Sequence, residues 1–380
     1  MITSIDIHKL YTQKFGKVTV QVSSPGRANI IGEHTDYNDG YVLPFAINKR
    51  IYFAAGPNRD NCFKIYSANL NKEVTIYPNQ HWDKGFARFF SSVIITLSKY
   101  GHQLSGLNIV FGGDLPIGGG MSSSSSIACG FIALLDSQFS LGLSKEDIVN
   151  LAVEAEHGVG VEGGKMDQYS IVYGQKEKAI LLDCLKSTAT FIDLDLGSYI
   201  FCLFDTNVSH NLEATEYNTR SRTCMKALSK LKSEFGEVSS FRDVTPSHLT
   251  VLSDLEKQRV SHVIAENQRV LDTVKAFDKG DLVRVGMFLD QSHHSLRDQY
   301  EVSCPELDFL QKLLSQHEQV LGARMMGGGF GGSVITLLKT ESLKEISLNL
   351  ERSYKDKFDK VLDVYLIKPE EGLRVTTLLP

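Results

Sequence analysis

Along the first third of the chain, short apolar runs alternate with turn residues in the manner of strands. VTVQVSS (18–24), GYVLPFAI (40–47), IYFAAG (51–56) and LNIVFGG (107–113) are rich in β-branched and aromatic residues. Gly, Pro, Asn or Asp bounds each of them, as expected for strand ends. The period changes in GFARFFSSVIITLSKYG (85–101), where apolar spacing is nearer to about 3.6 than 2 and predicts a helix closed by glycine. SSSSSIACGFIALLDSQFSL, which follows Met121, has a hydroxyl-rich start and an apolar body, the pattern of a buried helix opening on a glycine loop. LSKEDIVNLAVEAEHGVG begins with a Ser-x-x-Asp capping pattern and predicts a third helix.

KAILLDC (178–184) belongs to a predicted strand pair and leads to YIFCLFDT (199–206). Residues 212 to 316 read as predominantly helical and charged, and ARMMGGGFGGSVITLL (323–338) returns to glycine followed by β character. The alternation predicts an α/β chain with a boundary near 185–198, giving domains at 1–190 and 191–380. There is no internal repeat, and the serine run is too short and too close to a helix to be a disordered tract.

Composition narrows the partners. The 380 residues are 42% hydrophobic and 22% charged, as in ordinary globular proteins. The net charge of −5 is spread without a basic block, which argues against nucleic acid. No apolar run is long enough for a bilayer, and MITSIDIHKLYTQKF lacks the apolar core of a signal peptide. Six cysteines without a CxxC pair read as buried free thiols of a cytoplasmic protein.

Three glycine-bearing stretches carry the candidate chemistry. SSPGRANIIGEHTDY (23–37) sets an arginine, a glutamate, a histidine and an aspartate in one short turn. LPIGGGMSSSSSIACGFIALL (115–135) lets the backbone turn several N–H groups towards one point at a helix N-terminus, a cradle for phosphate oxygens. Serine hydroxyls there can bond phosphate or the magnesium that accompanies it. GxxxxGK[ST] is absent, so this is not a P-loop. GGGFGG (327–332) satisfies GxGxxG formally, but the β-type run SVITLLK follows it where a dinucleotide site needs a helix. A glycine turn for close backbone approach is the better account. In GGKMDQYS (163–170), Asp167 is a candidate to accept or orient a substrate hydroxyl proton.

Together, PGRANIIGEHTDYNDGYVLP, LPIGGGMSSSSSI and GARMMGGGFGGSVI stand in the order of the three motifs of the GHMP small-molecule kinase superfamily. The first resembles the galactokinase signature. AEHGVGVEGGKMDQYS, TNVSHNLEATEYNTR (206–220) and SHHSLRDQYEVSCPELD (292–308) are similar to galactokinase strings too, so the resemblance spans about residues 23–335. It implies a two-domain α/β (α+β) fold with ATP and sugar in the cleft, and phosphoryl transfer from ATP to the anomeric hydroxyl of galactose. Carried over residue by residue, Arg27 and Asp167 are the catalytic pair, and Glu33, His34, Asp36, Gly164, Asp167 and Tyr217 hold the sugar. Gly118, Gly119, Gly120, Ser122, Ser123 and Ser124 form the phosphate loop, with Ser124 and Glu156 beside Mg2+ and Trp82 an adenine candidate or a packing anchor. Arg27, always charged, favours an ionised carboxylate beside it and offsets charge on the transferring group.

Some positions depart from the pattern. Galactokinases commonly read CGIMDQ where this chain has GGKMDQ, so Lys165 points either to solvent or into the site. Met326 replaces a usual threonine, and five serines follow Met121 where an alanine is frequent. The competing readings are a sister kinase for N-acetylgalactosamine, arabinose or another hexose, and a sensor that binds ATP and sugar without turnover. His293 and His294 read as packing residues because no Cys/His/Asp cluster accompanies them. Oligomeric state is not read from the sequence; a monomer is the default expectation.

Overall fold

A computed structural model describes residues 2–208 and 213–378, with side chains for all but 213–215. The centre of the TNVSHNLEATEYNTR string, 209–212, therefore lies outside the described residues. In chain order the elements are α1 (Ser4–Phe15), β1 (Val20–Asn29), β2 (Tyr41–Val42), β3 (Pro44–Pro57), β4 (Phe63–Ser67), β5 (Lys72–Ile76), α2 (Ala87–Lys99) and β6 (Leu107–Gly113). Next come α3 (Ser123–Phe139), α4 (Lys145–His157), α5 (Met166–Tyr173), β7 (Lys178–Asp183), β8 (Thr188–Asp193) and β9 (Tyr199–Asp205). The rest is α6 (Glu213–Glu234), α7 (Asp254–Asp278), α8 (Leu282–Ser295), α9 (Pro305–Leu314), β10 (Val320–Met326), β11 (Ser333–Lys339), α10 (Leu343–Phe358), β12 (Asp363–Ile367) and β13 (Arg374–Thr377).

The first half is built on a six-stranded sheet, β13-β1-β3-β6-β4-β5, in which only β4 and β6 run parallel. The run at 40–47 divides between β2 and the start of β3, and β3 continues through Asn48, Lys49 and Arg50 into the run at 51–56, opposite the register shift in β1. α3 packs on β1 with Ile127 to Leu135 buried without a break, so it is a core helix rather than an amphipathic one. The predicted Ser144–Asp147 capping box opens α4.

The second half has an antiparallel sheet, β10-β11-β9-β12, and the helices α6 to α10. The sheet's sides and the helices enclose a second apolar core around Phe204, Phe241, Leu307 and Tyr354. A small β2-β7-β8 sheet precedes it.

The chain does not separate cleanly between its halves. β13 returns to pair with β1, and the buried Arg50 holds this tail by donating to the carbonyls of Glu371 (2.7 Å) and Gly372 (2.6 Å). By strand pairing, the last residues of the 191–380 segment therefore sit with the first half. All six cysteines are buried and free. Among the described residues no helix is long and apolar enough to cross a membrane.

Candidate active site

β1 delivers Arg27 through a local irregularity. Its pairing with β3 shifts register between Pro25 and Arg27, as a bulge that re-aims side chains does. A Cβ on Gly26 would lie 2.4 Å from Leu115 and 2.7 Å from the Met121 carbonyl, so glycine lets the phosphate-loop candidate rest directly on the strand. Arg27 Nε then donates to Asp167 Oδ1 at 2.6 Å and Nη2 to Oδ2 at 3.2 Å, while Nη1 donates to the Gly120 carbonyl. Burial opposes the guanidinium charge, but Asp167 and Glu33 outweigh it and hold Arg27 above its ordinary value.

Asp167 lies in the first turn of α5, a position that suits a carboxylate, and also accepts from Ser122 Oγ. The sequence did not announce α5, because its eight residues are too few for a periodic pattern. Ser122, expected in the phosphate loop, thus turns its hydroxyl to the Arg27–Asp167 pair.

The loop itself fits an anion. Gly118 and Gly120 have φ of +88° and +73°, and Ser122 leaves α3 without a side-chain cap, so its first N–H groups stay open. Gly118, Gly120, Ser122, Ser123 and Ser124 line a cavity of about 380 Å³ between the halves. Gly119 does not line it. It is glycine because a Cβ would lie 2.5 Å from Asp205 Oδ2 beneath the loop. Its carbonyl accepts from Ser333 Oγ at 2.7 Å, joining the loop to β11.

Arg27, Glu33, His34, Asp36, Glu156, Gly164, Asp167 and Tyr217 all line the same cavity. Glu33 Oε1 accepts from both Nη1 and Nη2 of Arg324 (3.1 Å each) and from the Gly327 N–H (2.9 Å); none of these bonds uses Oε2. Arg324 is fully buried and spends its remaining donors on the carbonyls of Ile30 (2.7 Å), Met325 (2.6 Å) and Asn29. It was missed in the sequence because it contacts Glu33 from the far end of the chain. The only local hint was an arginine inside an apolar strand pattern.

Asp36 lies against Gly164, where a Cβ would come within 2.5 Å of Oδ2. Burial, then the Asp167 charge, push its carboxyl up to about 7. His34 adopts φ of +62° and stands among the rings of Tyr37, Tyr217 and Tyr300, with centroids 5.8, 5.3 and 4.9 Å away. Burial, then His262, push it down to about 3, so it is neutral.

Glu156 accepts from Ser125 Oγ (2.8 Å) and from Gln168 Nε2, and among the described residues no cationic side chain pairs with it. Burial, then the Asp167 charge, raise it to about 7. A buried carboxylate beside serine hydroxyls, held only by neutral donors, is an all-oxygen set that fits a hard dication. Among the described residues no three His, Cys, Asp or Glu side chains gather as a complete metal cage, so any ion here takes further ligands from elsewhere.

Two residues singled out in the sequence lie outside the cavity lining. Lys165 turns away: Nζ donates to Ser187 Oγ at 2.9 Å, and the residue does not line the cavity. Trp82 also lies outside the lining; it is half-buried against the first-half core, which is the packing-anchor alternative. Arg88, at the start of α2, lines the cavity instead and was not anticipated. GGGFGG forms the turn between β10 and β11, with Gly327, Gly329, Gly331 and Gly332 at positive φ. A Cβ on Gly329 would meet the Val302 carbonyl at 2.1 Å.

Known proteins match this arrangement. Residues 88–175 match the GHMP kinases N terminal domain and 273–356 the GHMP kinases C terminal domain. Fold and cleft define a small-molecule kinase of the GHMP class. Residues 9–57 match the galactokinase galactose-binding signature. Galactokinase from Thermotoga maritima is 41% identical over 93% of this chain and 99% of its own, and that from Thermosipho africanus is 40% identical over the same shares. The chain belongs to the galactokinase family. The structure of Lactococcus lactis galactokinase complexed with galactose superposes with a TM-score of 0.90 at 29% identity, covering 97% of this chain and 98% of that one. Methanococcus jannaschii mevalonate kinase, at 16% identity and TM-score 0.63, shares the fold.

Proposed function

We propose that the chain transfers the terminal phosphoryl group of ATP to the C1 hydroxyl of galactose, giving galactose 1-phosphate and ADP. The observation that carries this reading is convergence: the Arg27–Asp167 pair, the open N-terminus of α3 and the Glu33–His34–Asp36 turn share one cavity. Asp167 faces the sugar hydroxyl and accepts its proton or orients it, with Arg27 and Ser122 fixing the carboxylate. The glycine loop and α3 hold the phosphates, and Arg27 offsets charge on the transferring group. Positioning and electrostatics supply most of the acceleration, because phosphoryl transfer is largely dissociative. Ser124 and Glu156 hold Mg2+, which when bound neutralises phosphate charge.

Glu33 Oε2, His34 and Asp36 pair with hydroxyls, which are what a neutral sugar offers. A site built this way rejects isomers that leave its polar groups unmatched. The departure at Lys165 does not favour a different sugar, because its ammonium lies on Ser187. ADP release measured over galactose, N-acetylgalactosamine, arabinose and glucose tests the reading. The highest kcat/KM is expected for galactose; a higher value for another sugar, or binding without turnover, overturns it.

A further inference from the structure

Among the described residues two arginines line the cleft cavity, Arg27 and Arg88. Arg27 spends all three of its nitrogens on Asp167 and the Gly120 carbonyl. Arg88 spends none: no described residue accepts a hydrogen bond from it or pairs with its charge. Its Nε is shut off from solvent without an acceptor, while the terminal nitrogens stay open. The guanidinium carbon stands 4.7 Å from the centroid of the Phe89 ring. A ring face steadies a guanidinium without using its in-plane N–H donors, so the head is held but unsatisfied.

Its place on α2 adds to the imbalance. Arg88 lies in the first turn of that helix, where the backbone dipole disfavours a cation. That turn holds no acidic residue and has no side-chain cap, so nothing local offsets the charge. Ser92, one turn along the same face, donates to the Ala155 carbonyl at 2.6 Å and docks α2 on the end of α4 that carries Glu156. Arg88 therefore enters from the helix pair that presents the candidate magnesium carboxylate, and it lines the same cavity as Ser124 and Glu156. An unpaired, partly desolvated cation in such a place is completed by an anion that the chain itself does not supply.

We propose that Arg88 is a nucleotide-binding residue that grips the phosphates remaining on ADP, the part of ATP that is not transferred. The proposal rests on the ATP-dependent reading above. A neutral sugar offers no anion, whereas a planar guanidinium fork matches phosphate oxygens. Arg27, bound to Asp167, marks the end of the cavity where the phosphoryl group moves. No hydrogen bond or ion pair joins Arg88 to Arg27, Asp167 or Ser122, which leaves it the other phosphates. Such a contact holds ATP and ADP alike, so it governs nucleotide affinity and leaves the chemical step nearly unchanged.

The test compares wild type with Arg88→Met and Arg88→Lys, using calorimetry with ATP, ADP and adenosine and steady-state rates with galactose. Arg88→Met should weaken ATP and ADP by similar factors of about ten to a hundred, the scale of a charge-assisted hydrogen bond. Adenosine affinity should not change. KM for ATP should rise by the same factor while kcat stays within about threefold. Arg88→Lys restores the charge without the fork and should fall between the two. Unchanged ATP and ADP affinity would overturn the proposal. So would an equal loss for adenosine, which places the arginine on the base, or a loss for ATP alone, which places it on the transferred group.

Thermal unfolding supplies a second readout that needs no turnover. Without nucleotide, Arg88→Met should unfold at or above the wild-type midpoint, because it removes an unpartnered donor and a cation from a helix start. The rise in midpoint on adding ATP should shrink. A lower midpoint without nucleotide, with an undiminished rise on ATP, marks a structural role and sinks the proposal. Arg88→Gln takes its place should the methionine variant not fold. Arg88-dependent ATP binding without phosphorylation of galactose removes the galactose reading and leaves this assignment standing; phosphorylation with ATP affinity independent of Arg88 does the reverse.

Discussion

The two walls of the cleft are built on opposite principles. On the phosphate side, Glu156 is a buried carboxylate with only neutral donors, and the first turn of α3 has no side-chain cap. On the sugar side the polar groups already satisfy one another: Glu33 with Arg324, His34 with Tyr37 and the Gly328 carbonyl, and His262 with the Glu33 carbonyl at 3.1 Å. One wall waits for charge to complete it; the other is preassembled and neutral. A polyphosphate with its dication brings strong interactions wherever donors point at it, whereas a sugar must be sorted by hydroxyl geometry, which needs side chains that do not move.

Breaking the bridge between the walls should have the largest effect. Asp167→Ala is expected to lower kcat by at least about a thousandfold while ATP affinity by calorimetry changes little. Near-normal turnover would remove Asp167 from the chemistry.

Next in size is the sugar wall's ion pair. Arg324→Met leaves Glu33 buried without its counter-ion and should cost about 3–5 kcal/mol in urea unfolding. Stability within about 1 kcal/mol of wild type would show that the pair does not brace the turn.

A subtler contrast lies in pH. Glu156 is raised from 4.5 to about 7 in the fold, so its contribution to stability is present below about pH 4.5 and lost as pH rises through about 7. His34 and His262, lowered to about 3 and about 4, act in the other direction: stability is gained as pH rises towards about 6.5. Glu156→Gln removes only the falling contribution. Its stability relative to wild type should therefore increase between pH 5 and 7.5, by an amount on the order of a few kcal/mol. A difference that does not vary with pH would refute the burial of that charge. The same variant should need more Mg2+ for half-maximal rate.

The smallest effect is expected at Lys165, whose Nζ sits on Ser187. Lys165→Leu should leave kcat/KM for galactose within about twofold, and a larger change would show that the ammonium reaches the cavity.

The difference between the walls also explains what was legible in the sequence. The phosphate side is local: three glycines, a serine run and an apolar helix make one continuous string, and its geometry follows from neighbouring residues. The strands 18–24 and 107–113 and the helices at 85–101, 122–141 and 143–160 were readable for the same reason, since the signal of each lies within its own residues. On the sugar wall only the residues inside the EHTDY turn stood out. Arg324, Tyr300, His262 and Cys224 reach it from four distant segments, and although Arg324 and Tyr300 lie in strings singled out above, no local pattern tells that they meet the EHTDY turn. The return of β13 was silent, because strand exchange between distant parts of a chain leaves no local mark, whereas α1 was missed despite its Thr3–Asp6 capping box.

β13 closing on β1 has an implication for how the protein is made. The strand that presents Arg27 is made long before β13, so the flank that β13 covers stays unpaired in the interval. Throughout that interval the nascent chain carries an open β-edge beside its most important cation, a feature that invites pairing with a neighbouring chain. The strand that presents Arg27 therefore gains its last neighbour only once β13 has been made, and a chain cut before β13 keeps that edge open.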